Sequence, residues 1–153
     1  MCKKIIILFA TVSGTSELVA DEISESDFVE SSGWMVDVTP MAKAELNVFD
    51  NNDTLYIIAT SSYGTGDIPE TAQRFFDEMD SKRPDLSGIR YGVICLGDTK
   101  YSQTFCGAAK TFDEKLRELG AERLGEMCRI DASSGDFPEE VALEWFKEWI
   151  AKV

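Results

Sequence analysis

The chain contains no histidine, the side chain most often used for acid and base catalysis near neutral pH. Its few cysteines include no CxxC pair, and without histidine they do not complete a zinc set. They stand at Cys2, Cys95, Cys106 and Cys128. Disulfide-stapled scaffolds, zinc modules and histidine-based triads are therefore disfavoured. We expect the chemistry of this protein to be carried by a bound group.

Long apolar runs and a small-residue cleavage site near the first residues are also missing. Lys3 and Lys4 lead directly into the short apolar run Ile5–Phe9, and no run approaches the roughly 18 apolar residues of a membrane span. The sequence therefore predicts a cytoplasmic protein without a membrane segment. A length of 153 residues with 44% apolar side chains fits a single domain over residues 1–153.

Positive charge is scarce. The 15 lysines and arginines stand against 28 aspartates and glutamates, which gives a formal net charge of −13. A field of this sign repels nucleic acid and anionic membranes and attracts basic protein surfaces. We therefore expect neither nucleic acid nor membrane as a partner, and expect a basic protein instead.

Buried-strand and helical patterns alternate along the chain. Runs of consecutive apolar residues, typical of strands in a parallel sheet, occur at Ile5–Phe9, Leu55–Ala59 and Tyr91–Leu96. After the second and third of these runs, apolar residues recur at the spacing of a helix. Two further strands are predicted, one at Trp34–Val38 and one that is broken around Gly125. Five β/α units predict an α/β fold with an open parallel sheet covered by helices on both faces.

The last helix is predicted from Asp136, Pro138 and Glu139, which combine a candidate N-cap with residues suited to the first helical turn. Trp145 and Trp149 recur at a spacing of four residues within it. We interpret both tryptophans as core residues that pack on the sheet.

Ligands of such sheets bind beyond the carboxyl ends of the strands, where the strand order reverses. The segment after the first strand, Thr11-Val12-Ser13-Gly14-Thr15-Ser16-Glu17, places hydroxyl residues around one glycine at the start of a helix. Backbone N–H groups and the helix dipole favour an anion there. Because the segment has no basic residue and matches neither GxxxxGK[ST] nor GxGxxG, a single phosphate ester is favoured over a triphosphate. A helix-capping turn is the alternative.

Two further segments follow the third and fourth strands. They read Thr60-Ser61-Ser62-Tyr63-Gly64-Thr65-Gly66-Asp67 and Gly97-Asp98-Thr99-Lys100-Tyr101-Ser102-Gln103-Thr104-Phe105-Cys106-Gly107. Each carries one tyrosine, Tyr63 or Tyr101, and both tyrosines are expected at the same edge of the sheet. Two aromatic side chains on neighbouring loops are suited to enclose a flat heterocycle between them.

In this combination the three segments resemble the flavodoxin family, and the resemblance covers essentially the whole chain. Phe105-Cys106-Gly107-Ala108 and the tryptophan-rich last helix resemble in particular the short-chain bacterial flavodoxins of the MioC and YqcA type. The family implies a three-layer α/β/α sandwich with a five-stranded parallel sheet in the order 2-1-3-4-5, and FMN as cofactor. Three residues separate Tyr101 from Phe105, whereas two are frequent in the family.

The resemblance also implies roles for individual residues. Thr11, Val12, Ser13, Gly14, Thr15 and Ser16 would hold the FMN phosphate through hydroxyls and backbone N–H groups. Ser61 and Ser62 would lie near the ribityl chain, and Tyr63 and Tyr101 on the two faces of the ring. Gly64 and Gly66 would allow close backbone approach. Asp98 and the backbone of Gly97 would meet the pyrimidine edge, with Leu96 also among the cofactor-binding residues. Thr104, Phe105 and Cys106 would close the pocket.

The function implied is low-potential, single-electron transfer by a monomer without enzymatic activity of its own. An NADPH-dependent flavodoxin or ferredoxin reductase would be the donor, and a second enzyme the acceptor.

One group of acidic residues is hypothesised to rim the flavin edge and to dock these basic partners. It consists of Asp67, Glu70, Asp77, Glu78 and Asp80, together with Asp98. A second group lies at Glu17, Asp21, Glu22, Glu25, Asp27 and Glu30. For both groups an ordinary solvated helix face is the alternative.

Three other functions are consistent with parts of the sequence. A response regulator would share the architecture, but it needs paired acids after the first strand, where Ala10 and Thr11 stand. An FMN-dependent NAD(P)H:quinone reductase would need a substrate-binding segment that is not evident. A flavin-free interaction module is the third possibility, and a colourless preparation that takes up no added FMN would support it.

Overall fold

The computed structural model describes residues 4–10, 14–50, 53–61, 68–97, 106–131 and 134–152. Its strands are β1 (Lys4–Ala10), β2 (Met35–Pro40), β3 (Thr54–Ser61), β4 (Arg90–Gly97), β5 (Glu122–Arg123) and β6 (Cys128–Asp131). Its helices are α1 (Thr15–Glu25), α2 (Asp27–Ser32), α3 (Glu70–Lys82), α4 (Gly107–Glu118) and α5 (Pro138–Ile150), with a 3₁₀ turn at Leu46–Phe49. Strands and helices alternate as predicted, and α2 and the 3₁₀ turn are additions within the connections.

The sheet has the predicted order. Strands β2, β1, β3 and β4 lie side by side and parallel, and both β5 and β6 pair with β4. Tyr91 lies opposite Arg123 in β5, and Ile94 lies opposite Cys128 in β6, so the two short strands share the fifth position. The order 2-1-3-4-5 is confirmed.

Two apolar cores cover the two faces of the sheet, because side chains along each strand alternate between them. In β3, Leu55 and Ile57 face α1 and α5, whereas Tyr56 and Ile58 face α3 and α4. All four side chains are almost completely buried. The result is the expected three-layer α/β/α sandwich, in which the central strands lie between two helical layers.

Each helix packs through a stripe set by its 3.6-residue period. In α4 the buried side chains Ala108, Phe112 and Leu116 recur every four residues. Helix α5 begins with Pro138 at its first position, as predicted, although its N-cap is Phe137 and not Asp136. Within the described residues, no helix is both long enough and apolar enough to cross a membrane.

The two tryptophans of α5 bind the backbone where the fifth strand is interrupted, between β5 and β6. Trp149 is buried and donates its indole N–H to the carbonyl of Leu124 at 3.0 Å, and Trp145 donates to the carbonyl of Glu126 at 3.0 Å. Their rings stack with centroids 5.6 Å apart. The core assignment is confirmed for Trp149, whereas Trp145 is only partly buried and binds the backbone between β5 and β6.

A buried polar cluster fixes α4 to the amino-terminal half of the sheet. The carboxylate of Asp113 accepts a hydrogen bond from the Tyr91 hydroxyl at 2.6 Å and pairs with the Arg123 guanidinium at 2.8 Å. Burial, and then the neighbouring carboxylate, raise the pKa of the Tyr91 phenol above its ordinary value. Tyr91 therefore remains a protonated donor, and the cluster lies away from the carboxyl ends of the strands.

The cysteine spacing gave no indication of one disulfide that the structure contains. Cys95 in β4 and Cys106 at the start of α4 are joined by a disulfide, with their Cα atoms 5.4 Å apart. A strand followed by a loop and a returning helix brings together residues that are 11 positions apart, a proximity that the spacing does not reveal. Cys128 is a buried free thiol.

The tryptophan pair requires a residue without a side chain at Gly92. A Cβ at this position would lie 2.7 Å from Nε1 of Trp149 and 2.8 Å from the Trp145 ring. We predict that Gly92→Ala lowers the free energy of unfolding by about 1–3 kcal/mol through overpacking, as a shift of the urea midpoint. In a Trp149→Phe background the same change should cost less, because the nearest atoms are gone. Equal costs in both backgrounds would contradict this explanation.

Candidate cofactor site

The carboxyl ends of β1, β3 and β4 meet at one edge of the sheet. Ala10 lies opposite Thr60, and Thr60 lies opposite Cys95, so the three strands end within a few residues of one another. The strand order reverses between β1 and β3, which are followed in the chain by helices on opposite faces. This is the position at which open α/β sheets bind ligands.

Helix α1 presents its amino-terminal end to this edge. Gly14 precedes the helix in a left-handed conformation, with φ 91°, and its carbonyl accepts the N–H of Leu18 at 3.0 Å. A Cβ at Gly14 would meet nothing within 4 Å, so the glycine serves the backbone conformation and not a close approach. The first turn of α1 directs its N–H groups and the positive end of its dipole toward the edge.

Two serine hydroxyls connect the first and the second of the three segments. Ser16 is completely buried in the first turn of α1, and its Oγ lies 2.9 Å from Oγ of Ser61 at the end of β3. Since one of the two hydroxyls donates to the other, the second hydroxyl can donate its own proton to another acceptor. Thr60 supports this end of β3 by donating its hydroxyl to the carbonyl of Ser61 at 2.9 Å.

The third segment is anchored at both of its described ends. Leu96 is buried at the end of β4, and Gly97 lies opposite Asp131 of β6. Cys106 is the N-cap of α4 and is completely buried, with its sulfur bonded to Cys95. The side chain of Cys106 is therefore engaged in the core beneath the segment.

The predicted site residues can be compared with the structure only in part. The structure brings Gly14, Thr15, Ser16, Ser61, Leu96, Gly97 and Cys106 to the carboxyl edge of the sheet. The others, including both tyrosines, lie outside the described residues: Thr11, Val12, Ser13, Ser62, Tyr63, Gly64, Gly66, Asp98, Tyr101, Thr104 and Phe105. Their roles remain predictions.

The donor set at this edge fits the phosphate of FMN. The described residues there offer hydroxyls and helix N–H groups and include no lysine or arginine. Neutral donors with a helix dipole suit one phosphate ester, whereas a triphosphate requires a cation or a lysine. Among the residues that the structure describes, no group of acids, cysteines or histidines could hold a metal ion.

The acidic residues are arranged differently from the sequence-based hypothesis. Glu70 begins α3 at the carboxyl edge, but Asp80 lies ten residues further on, about 15 Å away at 1.5 Å per residue. Asp80 pairs with Lys115 at 2.6 Å, and Glu78 pairs with Arg74 at 3.0 Å. The distal part of this acidic group therefore does not rim the edge. Asp67 and Asp98 lie outside the described residues.

Helix α1 places two further acids near this edge. Glu17 and Asp21 occupy its first two turns, and no ion pair among the described residues includes either of them. Between Lys4 and Lys43 the sequence has no basic residue that could neutralise them locally. The sequence indicated both this acidic stretch and the position of the start of α1 at the site, but the acidic rim was expected from the residues of α3 and from Asp98.

Two features of the site were not predicted. The contact between Ser16 and Ser61 joins residues 45 positions apart, and no local pattern indicates it. Cys95 was interpreted only as part of an apolar strand, although the presence of a second cysteine after the loop was a signal that could have suggested pairing.

Comparison with known proteins agrees with this geometry. Residues 7–145 match the sequence model of the family described as Flavodoxin. The chain is 31% identical to Protein MioC of Escherichia coli O157:H7 over 146 residues, which is 95% of each chain. It is 34% identical to Flavodoxin YqcA of Escherichia coli strain K12, covering 94% of this chain and 93% of that protein.

Solved structures lead to the same family. The fold superimposes on a cysteine-to-alanine mutant of flavodoxin from Pseudomonas aeruginosa with a TM-score of 0.84 and 31% identity, covering 97% of each chain. The match therefore includes the sheet and both helical layers. The chain belongs to the flavodoxin family, whose members are FMN-binding electron-transfer flavoproteins.

Proposed function

We propose that this flavodoxin is a single-domain, monomeric carrier of single electrons at low potential, acting in the cytoplasm between a reductase and an acceptor enzyme. The observation that carries the proposal is the site at the carboxyl edge of β1, β3 and β4, built from neutral donors. Bound FMN supplies the one-electron chemistry. The protein binds the cofactor, limits its contact with water and adjusts its potentials.

The phosphate is proposed to lie at the start of α1. Residues Thr11–Ser16 provide N–H groups and hydroxyls there, and Ser61 orients the hydroxyl of Ser16 from the neighbouring strand, at 2.9 Å. Ser62 borders the ribityl chain. Because Ser16 is completely buried, its hydrogen bond to a phosphate oxygen would be shielded from water and correspondingly strong.

The remaining predicted residues are proposed to surround the ring. Tyr63 and Tyr101 cover its two faces, and Gly64 and Gly66 let the backbone approach between them. Leu96, Gly97 and Asp98 meet the pyrimidine edge, and Thr104, Phe105 and Cys106 close the pocket. Since the side chain of Cys106 is bonded to Cys95, its contribution is through the backbone.

The acidic surroundings lower the reduction potential. Adding negative charge to the ring is opposed by each nearby carboxylate, by roughly 1.7 kcal/mol at about 10 Å with an effective dielectric of about 20. This corresponds to about 70 mV for one electron. Glu17 and Asp21 on α1 supply such charges at the described part of the edge.

The partners are proposed to be basic redox proteins, with an NADPH-dependent flavodoxin or ferredoxin reductase as the donor. Glu17 is exposed in the first turn of α1, next to the half-exposed side chain of Leu18. Opposite charges across such a surface increase the rate of encounter and lose their effect as salt is added. We propose that hydride transfer from NADPH takes place on the reductase.

A binding experiment tests the cofactor site. Ser16→Ala should weaken FMN binding roughly tenfold, since one hydrogen bond to a charged group contributes about 1.5 kcal/mol. Riboflavin, which has no phosphate, should bind the variant and the wild type equally well. Quenching of flavin fluorescence during titration measures both dissociation constants.

Ser24→Ala is the matched control for Ser16→Ala. Ser24 lies further along the same helix, where its hydroxyl donates to the carbonyl of Asp21 at 3.1 Å. This variant should bind FMN as the wild type does. The phosphate assignment is wrong if Ser16→Ala weakens riboflavin and FMN binding to the same extent.

A kinetic experiment tests the docking surface. Glu17→Gln should slow electron transfer from the reduced protein to cytochrome c, a basic haem protein, by about threefold at low salt, since one rim charge is removed. Glu25→Gln removes the same charge at the other end of α1, about 12 Å away, and should have a smaller effect. Stopped-flow rates over a range of ionic strengths measure both. Rates independent of salt would contradict electrostatic docking.

A further inference from the structure

The two helical layers of the sandwich differ in charge. Six aspartates and glutamates lie in α1 and α2 and four in α5, and the same three helices contain a single basic residue, Lys147. On the other face of the sheet, α3 and α4 contain seven acids and five lysines or arginines. The layer formed by α1, α2 and α5, called the acidic layer below, therefore carries most of the negative charge of the helices.

Ion pairs increase this difference. Several acids of α3 and α4 have a basic partner, as Asp80 has in Lys115 at 2.6 Å. The described helices of the acidic layer contain one ion pair, in which Lys147 in the last turn of α5 binds Glu144 at 3.6 Å. The acids at the starts of α1 and α5 are therefore not neutralised by a neighbouring base within the described residues, and their field attracts positive charge.

Two large apolar side chains are exposed at the end of the acidic layer that adjoins the carboxyl edge of the sheet. Leu18, in the first turn of α1, is 50% exposed, and Phe137, the N-cap of α5, is 63% exposed. Both helices begin at this edge, because each follows a strand and runs back along the sheet, and they pack against each other. An acid precedes each side chain, Glu17 in the first case and Asp136 in the second.

One other large apolar side chain is exposed among the residues that the structure describes. Met35 is 59% exposed at the start of β2, where it lies opposite Lys4 at the amino-terminal end of the sheet. A single exposed apolar side chain is ordinary for a soluble protein. Leu18 and Phe137 differ from Met35, because they share one end of one layer, beside the cofactor edge and among acids. Apolar contacts inside a charged rim are the composition of a protein interface.

We propose that this end of the acidic layer is the docking surface for a redox protein whose own surface bears lysines or arginines around an apolar patch. Leu18 and Phe137 contact the apolar patch, and acids such as Glu17 and Glu140 face the basic residues around it. This inference rests on the proposed electron-transfer function, because it names the face over which the partner approaches the cofactor.

The charge of the surface indicates which partner binds. A second copy of this chain would bring the same acids face to face, and opposed like charges weaken an interface. A basic protein is instead attracted from a distance, through a force that salt screens. The apolar contacts act only after the two surfaces meet, and salt does not screen them. Ionic strength therefore separates the two contributions.

Substitution of the exposed apolar side chains tests the contact at high salt. The reduced, FMN-loaded protein is mixed with oxidised cytochrome c, the basic haem protein, in a stopped-flow instrument at about 0.5 M salt, where the screening length is about 4 Å. Leu18→Gln and Phe137→Gln leave the charge unchanged. Each should lower the second-order rate constant roughly fivefold, the loss typical of one interface contact. Met35→Gln is the matched control and should react as the wild type does.

A pair of charge substitutions tests the choice of layer. Glu140 is exposed in the first turn of α5, and Glu70 is exposed in the first turn of α3, at the same edge but in the other layer. At low salt Glu140→Gln should slow the reduction of cytochrome c about threefold, since one rim charge is removed, and Glu70→Gln should have a smaller effect. Equal effects of the two substitutions would overturn the assignment to the acidic layer.

A small neutral oxidant separates docking from the chemistry of the cofactor. The wild type and all variants should reduce benzoquinone at the same rate, because this molecule needs no docking surface. If Leu18→Gln and Phe137→Gln also reduce cytochrome c at the wild-type rate, the inference is overturned while the proposed function stands. A wild type that takes up no FMN would contradict both.

Sedimentation of the FMN-loaded protein tests a second copy of the chain as the occupant. The wild type is expected to be a monomer over the whole range of concentrations measured, which supports a different protein as the partner. A dimer that Leu18→Gln or Phe137→Gln dissociates, and that Met35→Gln leaves intact, would assign the surface to self-association and overturn the inference.

Discussion

Burial of β1, β3 and β4 between two helical layers is the constraint on which the other features depend. Neighbouring residues such as Ile57 and Ile58 point into different cores, so a slip of one residue would exchange the contents of the two layers. The parallel register is therefore strongly specified, and the three strands must end together. The cofactor site is a consequence of this packing, because the loops after these strands have one common edge.

The proposed site holds the phosphate of FMN, an anion, in a chain whose net charge is −13. Short-range interactions can hold the phosphate despite the negative charge of the chain. The hydroxyls of Ser16 and Ser61 and the first turn of α1 act at hydrogen-bond distance, where they are shielded from water, whereas exposed carboxylates are screened beyond about 10 Å. The proposed roles of acids such as Glu17, in lowering the potential and attracting a basic partner, are therefore compatible with the proposed phosphate position nearby.

Much of the fold follows from local patterns. The apolar runs predict the central strands, the spacing of Ala108, Phe112 and Leu116 predicts α4, and Gly125 marks the broken strand. The candidate site was predicted from three loops and a family resemblance. The contacts that join these loops to one another were not predicted. Contacts such as Ser16 with Ser61, and Cys95 with Cys106, join separate elements and depend on the tertiary arrangement, which local periodicity does not contain. The distal part of the acidic rim was misplaced for the same reason, since the direction of α3 carries Asp80 away from the edge although Glu70 lies at it.

The most direct test of the account is the visible spectrum of the FMN-loaded protein during stepwise anaerobic reduction. A site that adds electrons singly, as proposed above, should give a yellow protein that becomes blue after about one electron and colourless after the second. Direct bleaching from yellow to colourless would contradict single-electron transfer. A protein that takes up no FMN would contradict the site.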